Sequence, residues 1–180
     1  MTANECIKGR RSIRQFTDKP IAREVLTDIV ESASYAPSWK NTQIVRYIAV
    51  EGALKDKIAS ECTSAYAKNG EIIRNAPLLI AVTFIKNRSG FERDGSFSTP
   101  KEGGWQMFDT GIATEAFCLA AYEQVLGSVI LGIFDEAKAA ALLSLPEDRE
   151  LAALIPIGYP AEAPAAPKRK PVEDLLSYLS

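Results

Sequence analysis

Two short cationic runs, Arg10-Arg11-Ser12-Ile13-Arg14 and Lys168-Arg169-Lys170, lie near opposite ends of a 180-residue chain whose formal net charge is only -2. Guanidinium forks beside a hydroxyl are suited to holding a phosphomonoester. Between the runs, Pro37-Ser38-Trp39-Lys40-Asn41-Thr42-Gln43 sets hydrogen-bonding side chains beside an indole, and Gly132-Ile133-Phe134-Asp135 supplies a glycine-led turn. Polar groups next to an aromatic surface are what a flat heterocycle requires. Each stretch alone reads equally as something ordinary: cations at a helix C-terminus, a solvated tail, a turn between helix and strand. Taken together they describe one site for an anion joined to an aromatic ring. With a pI near 5.4 the chain lacks the broad basic surface of a polyanion binder, so a small phosphorylated ligand fits better than a nucleic acid.

The composition narrows the chemistry further. There is no histidine, which removes Ser-His-Asp and Cys-His catalysis and most catalytic zinc sites. Cys6, Cys62 and Cys118 are odd in number, widely spaced and without a Cys-x-x-Cys pair, so they read as reduced, buried thiols. No metal site is expected, hydrolase readings start weak, and borrowed cofactor chemistry starts stronger. No apolar run approaches the roughly 18 residues that a membrane span needs, and the N-terminus with Asn4, Glu5 and Lys8 has no signal-peptide core. One domain over 1–180, cytoplasmic and without a membrane partner, is the expectation.

Periodicity gives the elements that must position these residues. A short N-terminal helix ends near Gly9. Ile21, Val25, Leu26, Ile29, Val30 and Ala33 recur at helical spacing behind Asp18 and Pro20, and Pro37 closes that helix. A strand follows over 44–50. A helix is expected over 52–68, with a further short turn over 70–75. LLIAVTFI at 78–85 reads as a central strand buried on both faces. The polar, glycine-rich loop over 86–104 carries Phe91 and Phe97, with Trp105 just beyond. A helix over 107–126 is apolar around most of its circumference and calls for cover by the sheet and by a second subunit. Strands over 128–133 and 151–159 flank a helix over 136–143, and Pro160, Pro164, Pro167 and Pro171 keep the tail extended. The pattern predicts an α+β or α/β fold on a sheet of four or five strands. Glu51-Gly52-Ala53-Leu54-Lys55 after the first strand is no dinucleotide fingerprint.

The order of Arg-Arg-Ser-x-Arg, Ala-Pro-Ser-Trp-x-Asn-x-Gln, Asp109-Thr110-Gly111-Ile112-Ala113, Gly132-Ile133-Phe134-Asp135 and Ile157-Gly158-Tyr159-Pro160 resembles the nitroreductase-like flavoproteins from Arg10 to Lys170. The resemblance implies an α+β homodimer with a central four- to five-stranded sheet flanked by helices and an extended C-terminal tail. It implies FMN at the subunit interface and NADH or NADPH as reductant.

Carried over by position, Arg10, Ser12, Lys168 and Lys170 would hold the ribityl phosphate, with Arg11 near it. Arg14 would stand near flavin N1, where positive charge favours the reduced ring. Pro37, Ser38, Trp39 and Asn41 would come from the partner subunit, with Trp39 where many relatives have serine. Backbone N–H groups around Gly132, Ile133 and Phe134 would meet N5, Leu131 would also lie at the cofactor, and Asn69 would meet the pyrimidine edge. Arg14 and Ile133 are the candidates for a catalytic role. The implied reaction is ping-pong reduction of a small electrophile, a nitroaromatic, quinone or related compound, with Phe91, Phe97 or Trp105 roofing the slot. A specialised relative is the alternative: a reductive dehalogenase, a flavin-consuming enzyme or a ferredoxin-linked one. A non-enzymatic phospholigand binder is the reading from outside this class.

Overall fold

The computed structural model describes residues 1–179. Its elements are α1 (Ala3–Gly9), α2 (Arg23–Ser34), β1 (Val45–Val50), α3 (Gly52–Glu61), α4 (Ala67–Asn75), β2 (Leu78–Ile85), α5 (Gly104–Glu123), β3 (Gly127–Ser128), α6 (Glu136–Leu142) and β4 (Arg149–Gly158). Short 3-10 turns lie at Trp39–Asn41, Ser64–Tyr66 and Val172–Asp174. The four strands form one antiparallel sheet in the order β1-β2-β4-β3.

Strand alternation divides the core into two layers, because successive side chains leave a strand on opposite faces. Leu79 and Ala81 of β2 and Leu154 of β4 pack with Ile58 and Ala59 of α3, Cys62 just after it, Ile72 and Ile73 of α4 and Ala139 of α6. Leu78, Ile80 and Val82 of β2, with Ile155 and Ile157 of β4, face Ile29 and Ala33 of α2 and Phe117, Cys118 and Ala121 of α5. The continuous apolar run of β2 is therefore a central strand covered on both sides, as its sequence indicates. Lys55, nearly buried in α3, donates its Nζ to the Ala76 carbonyl at 2.5 Å and the Arg74 carbonyl at 3.2 Å, closing the C-terminus of α4.

Two expectations are corrected. The strand expected over 128–133 pairs only at Gly127 and Ser128. Its next partner is Pro156, whose carbonyl accepts from Val129 N–H at 3.3 Å but which has no N–H to return, so the ladder fails there. It resumes for one pair, Leu131 and Leu154, which exchange bonds of 2.8 and 3.1 Å. The helix expected over 52–68 ends at Glu61, and α4 is a full nine-residue helix rather than a turn. Thr63 Oγ donates to the Ala59 carbonyl at 2.7 Å, and Gly70 of α4 packs directly on that carbonyl and that hydroxyl. Any side chain at position 70 would collide with them, so the bend and the glycine belong to one packing contact.

Candidate active site

The arginine motif is held as an added edge to the sheet. Ile13 N–H donates to the Ser128 carbonyl at 3.0 Å, Thr17 N–H to Tyr159 at 2.9 Å, and Ala161 N–H returns to Gln15 at 2.9 Å. Glu162 Oε1 accepts from the N–H groups of both Arg14 and Gln15, at 2.6 and 3.1 Å. The polar tail is thus tied to the loop that carries the arginines. Between them lies a cavity of about 340 Å³ lined by Arg10, Arg11, Ser12, Arg14 and Arg169, with Pro164 and Pro167 of the tail. Arg10 Nε is buried and makes no hydrogen bond among the described residues, and Glu115 stands 3.5 Å from it. Glu115 already pairs with that N–H at ion-pair distance, so the case for an anion rests on the four guanidinium groups of Arg10, Arg11, Arg14 and Arg169 gathered around one cavity.

Arg14 also lines a second cavity of about 420 Å³, with Tyr66, Lys68, Asn69, Ile72 and the segment Val129–Ile133. Asn69 is buried, and its Nδ2 donates to the Ile133 carbonyl at 2.9 Å, fixing the turn after Leu131 and leaving its Oδ1 available to a ligand. The N–H groups of Gly132, Ile133 and Phe134 donate to no carbonyl or side chain among the described residues, whereas Asp135 N–H is used by the Cys62 carbonyl at 2.6 Å. Gly132 is open: a Cβ there would meet nothing within 4 Å. Asp135 then caps α6 by accepting from Lys138 N–H at 3.0 Å.

The 37–43 loop stands apart from both cavities within one chain. Pro37 and Ser38 line a third, mostly apolar cavity of about 390 Å³ between α2, β1 and α5. Trp39 packs on Trp105 with ring centroids 4.7 Å apart, and Trp105 meets Phe108 edge-on at 5.4 Å. Phe91 and Phe97 pair separately across a small hairpin in the 86–103 loop. Of the expected site residues, the structure gathers Arg10, Arg11, Ser12, Arg14, Asn69, Leu131, Gly132 and Ile133 around two cavities that share Arg14. It leaves Pro37, Ser38, Trp39 and Asn41 elsewhere on the chain, where a partner subunit would have to bring them in. Lys168 and Lys170 are exposed and line neither cavity, whereas Arg169, between them, lines the first. Tyr66, Lys68 and Glu162 were not singled out from sequence; an isolated tyrosine, lysine or glutamate carries no positional signal.

Burial pushes the Cys118 and Cys62 thiols up, away from thiolate. Burial likewise pushes the Tyr47 phenol far above its usual range, and its hydroxyl donates to the Ala113 carbonyl at 3.1 Å in a structural role. No cluster of metal-ligating side chains occurs among the described residues. No helix among them is long and apolar enough to cross a membrane.

The sequence model of the nitroreductase family matches residues 7–159, and the chain belongs to that family. A Bacillus subtilis protein named FMN reductase (NAD(P)H) is 32% identical, covering 94% of this chain and 72% of its own. Iodotyrosine deiodinase of Daphnia pulex is 26% identical over 93% of this chain and 62% of its own. Among solved structures, a nitroreductase family protein of Clostridium novyi superposes with a TM-score of 0.76 at 32% identity, covering 90% of this chain and 87% of its own. A nitroreductase of Desulfovibrio desulfuricans, solved in complex with FMN, gives 0.77 at 28% identity, covering 98% and 96%. FMN fits the donor set found here: cationic groups and a serine at one end, unused backbone N–H groups around an open glycine at the other.

Proposed function

We propose that the protein is a homodimeric FMN-dependent oxidoreductase that draws hydride from NADH or NADPH and delivers electrons to a small electrophile such as a nitroaromatic or a quinone. The observation that carries this reading is the pair of cavities joined at Arg14, one cationic and one lined by free amides. Arg10, Arg11, Ser12 and Arg169 bind the terminal phosphate, with Lys168 and Lys170 adding positive charge from outside the cavity. Arg14 places positive charge at the pyrimidine end, where Lys68 adds a second cation. The N–H groups of Gly132 and Ile133 hold the ring edge, and Asn69 keeps that turn in place through the Ile133 carbonyl. FMN supplies, when bound, the hydride-accepting atom that this chain lacks. The protein's own part is orientation and an electrostatic environment set before reaction.

The second subunit is supported by apolar surface that one copy leaves uncovered. Met107 and Phe108 of α5 are 51% and 59% exposed, Gly111 one turn on has open space beside it, and Leu175, Leu176, Tyr178 and Leu179 of the tail are exposed. A second copy would also bring a 37–43 loop to the ring. Reductive dehalogenation is the second reading, favoured by the similarity to the deiodinase. The test is anaerobic: protein loaded with FMN is mixed with NADH or NADPH, then with nitrobenzene, a quinone or an iodophenol. Bleaching of the yellow colour by a nicotinamide and its return with one acceptor is expected. Protein that takes up no FMN overturns the reading.

A further inference from the structure

Residues 37–43 form a loop that burial does not explain. None of the seven is buried, yet Lys40, Asn41 and Gln43 all adopt left-handed backbone, with φ of 45°, 55° and 48°. That region is unfavourable for residues with a Cβ unless the surroundings hold it. The bonds inside the loop, Asn41 N–H to the Ser38 carbonyl and Gln43 N–H to Ser38 Oγ, both 3.0 Å, shape it but do not fix it to the body of the protein. The Lys40–Glu92 ion pair at 3.0 Å is exposed at both ends and worth little.

Arg46 of β1 donates to the Gln43 carbonyl at 2.7 Å and Trp39 packs on Trp105, and the polar anchor of the turn itself lies underneath. Asp109, in the second turn of α5, is only 3% exposed, and its Oδ2 accepts from Trp39 N–H at 2.9 Å and from the Ser89 hydroxyl at 2.5 Å. Ser89 is fully buried, and its oxygen lies 2.7 Å from Thr42 Oγ1. Because the Ser89 proton is committed to the carboxylate, the hydroxyl of Thr42 must donate to Ser89. One acceptor-only group therefore directs both ends of the Trp39–Asn41 turn, Trp39 directly and Thr42 through Ser89.

We infer that Asp109 is a positioning residue: its buried carboxylate clamps the 37–43 loop in the shape that presents Ser38, Trp39 and Asn41 to the flavin. This rests on the flavin-enzyme reading above. Asp109 touches neither of the arginine-lined cavities, so it acts through the loop. Replacement by Asn keeps an acceptor oxygen but buries an amide N–H₂ facing donors; replacement by Ala removes the acceptor altogether.

The test is FMN titration and near-ultraviolet circular dichroism of wild type, Asp109→Ala, Asp109→Asn, Ser89→Ala and Ile58→Val. The last lies in the core on the far face of the sheet and reports a general loss of stability. Asp109→Ala should weaken FMN binding about tenfold or more, as expected for losing charge-assisted hydrogen bonds. Asp109→Asn and Ser89→Ala should fall between it and wild type, and Ile58→Val should bind as wild type at whatever melting temperature it has. The aromatic dichroism of the Trp39–Trp105 pair should weaken in the same order. FMN affinity within about twofold of wild type in Asp109→Asn and Ser89→Ala, or a loss matched by Ile58→Val, would overturn the inference. If Asp109→Ala does not fold, the two milder variants decide. Wild type that binds no FMN refutes the functional reading instead, and an unchanged dichroism in Asp109→Asn and Ser89→Ala would then still refute the clamp.

Discussion

Replacing Gly127 by alanine places one methyl group between β3 and the arginine motif. The new Cβ would lie 2.6, 2.7 and 2.9 Å from Ile13 Cγ1, Cβ and Cγ2. Carbon atoms in contact prefer about 3.5–4.0 Å, so the shortfall is roughly 1 Å. Two of the three atoms belong to the branched side chain, but the third is Cβ, fixed to the backbone, so a rotamer change cannot clear it. Ile13 is itself buried at 7% exposure and tied to Ser128 through its N–H, hence the strand must move. Overpacking of this kind costs about 1–3 kcal/mol, and the lower unfolded-state entropy of alanine returns only about 0.4–1. The net cost is then about 0.6–2 kcal/mol, and at about 2–4 °C for each kcal/mol in a chain of this length the melting temperature should fall by roughly 1–8 °C.

The same displacement carries Ser12 and Arg14, so FMN affinity should fall with stability. Thermal unfolding without FMN and FMN titration at fixed salt measure the two effects. Adding Ile13→Ala should recover part of the loss, since it removes the contacts at 2.6 and 2.9 Å but not the one at 2.7 Å. Gly104→Ala, with nothing within 4 Å of its Cβ, is the control and should not destabilise. If Gly127→Ala melts within about 1 °C of wild type and binds FMN equally well, the close approach is not what sets the motif's position.

Two further outcomes follow from single contacts. Phe108→Glu puts a charge on the exposed apolar stripe of α5 and should shift the protein from dimer to monomer in sedimentation; an unchanged dimer places the interface elsewhere. Glu92 is held below the usual carboxylate range by the Ser98 hydroxyl at 2.5 Å and by Lys40. A depressed folded value stabilises above the ordinary carboxyl titration and is lost as pH falls through the lower folded value. Wild type should therefore melt slightly above Glu92→Gln near neutral pH, with the gap closing below about pH 4.5; a gap independent of pH would count against the contact.

Much of this was legible in the chain. The apolar run at 78–85 could only be an interior strand, and the helical spacing of Val25, Ile29 and Ala33 located α2. What escaped were features that depend on a neighbour distant in sequence. The end of β3 is dictated by Pro156 across the ladder, and the break after α3 by Gly70 packing on Ala59. The Arg10–Arg14 run stood out because three guanidinium groups within five residues are unusual in sequence as well as in space. Glu162 and Ser89 did not, since a lone glutamate or serine gains meaning only from the N–H or carboxylate it meets on folding. The 128–133 stretch shows both sides: its composition reads as strand, and the N–H groups of Gly132 and Ile133 are free because it is not one.

The most direct measurement is a crystal structure of the protein grown with FMN. The expected result is two chains, the phosphate within hydrogen-bonding distance of Arg10 and Ser12, the ring edge against Gly132 and Ile133, and a 37–43 loop from the other chain beside it. FMN lodged instead in the apolar cavity between α2 and α5, or a cavity at Arg10 that stays filled only by solvent at saturating FMN, would contradict it.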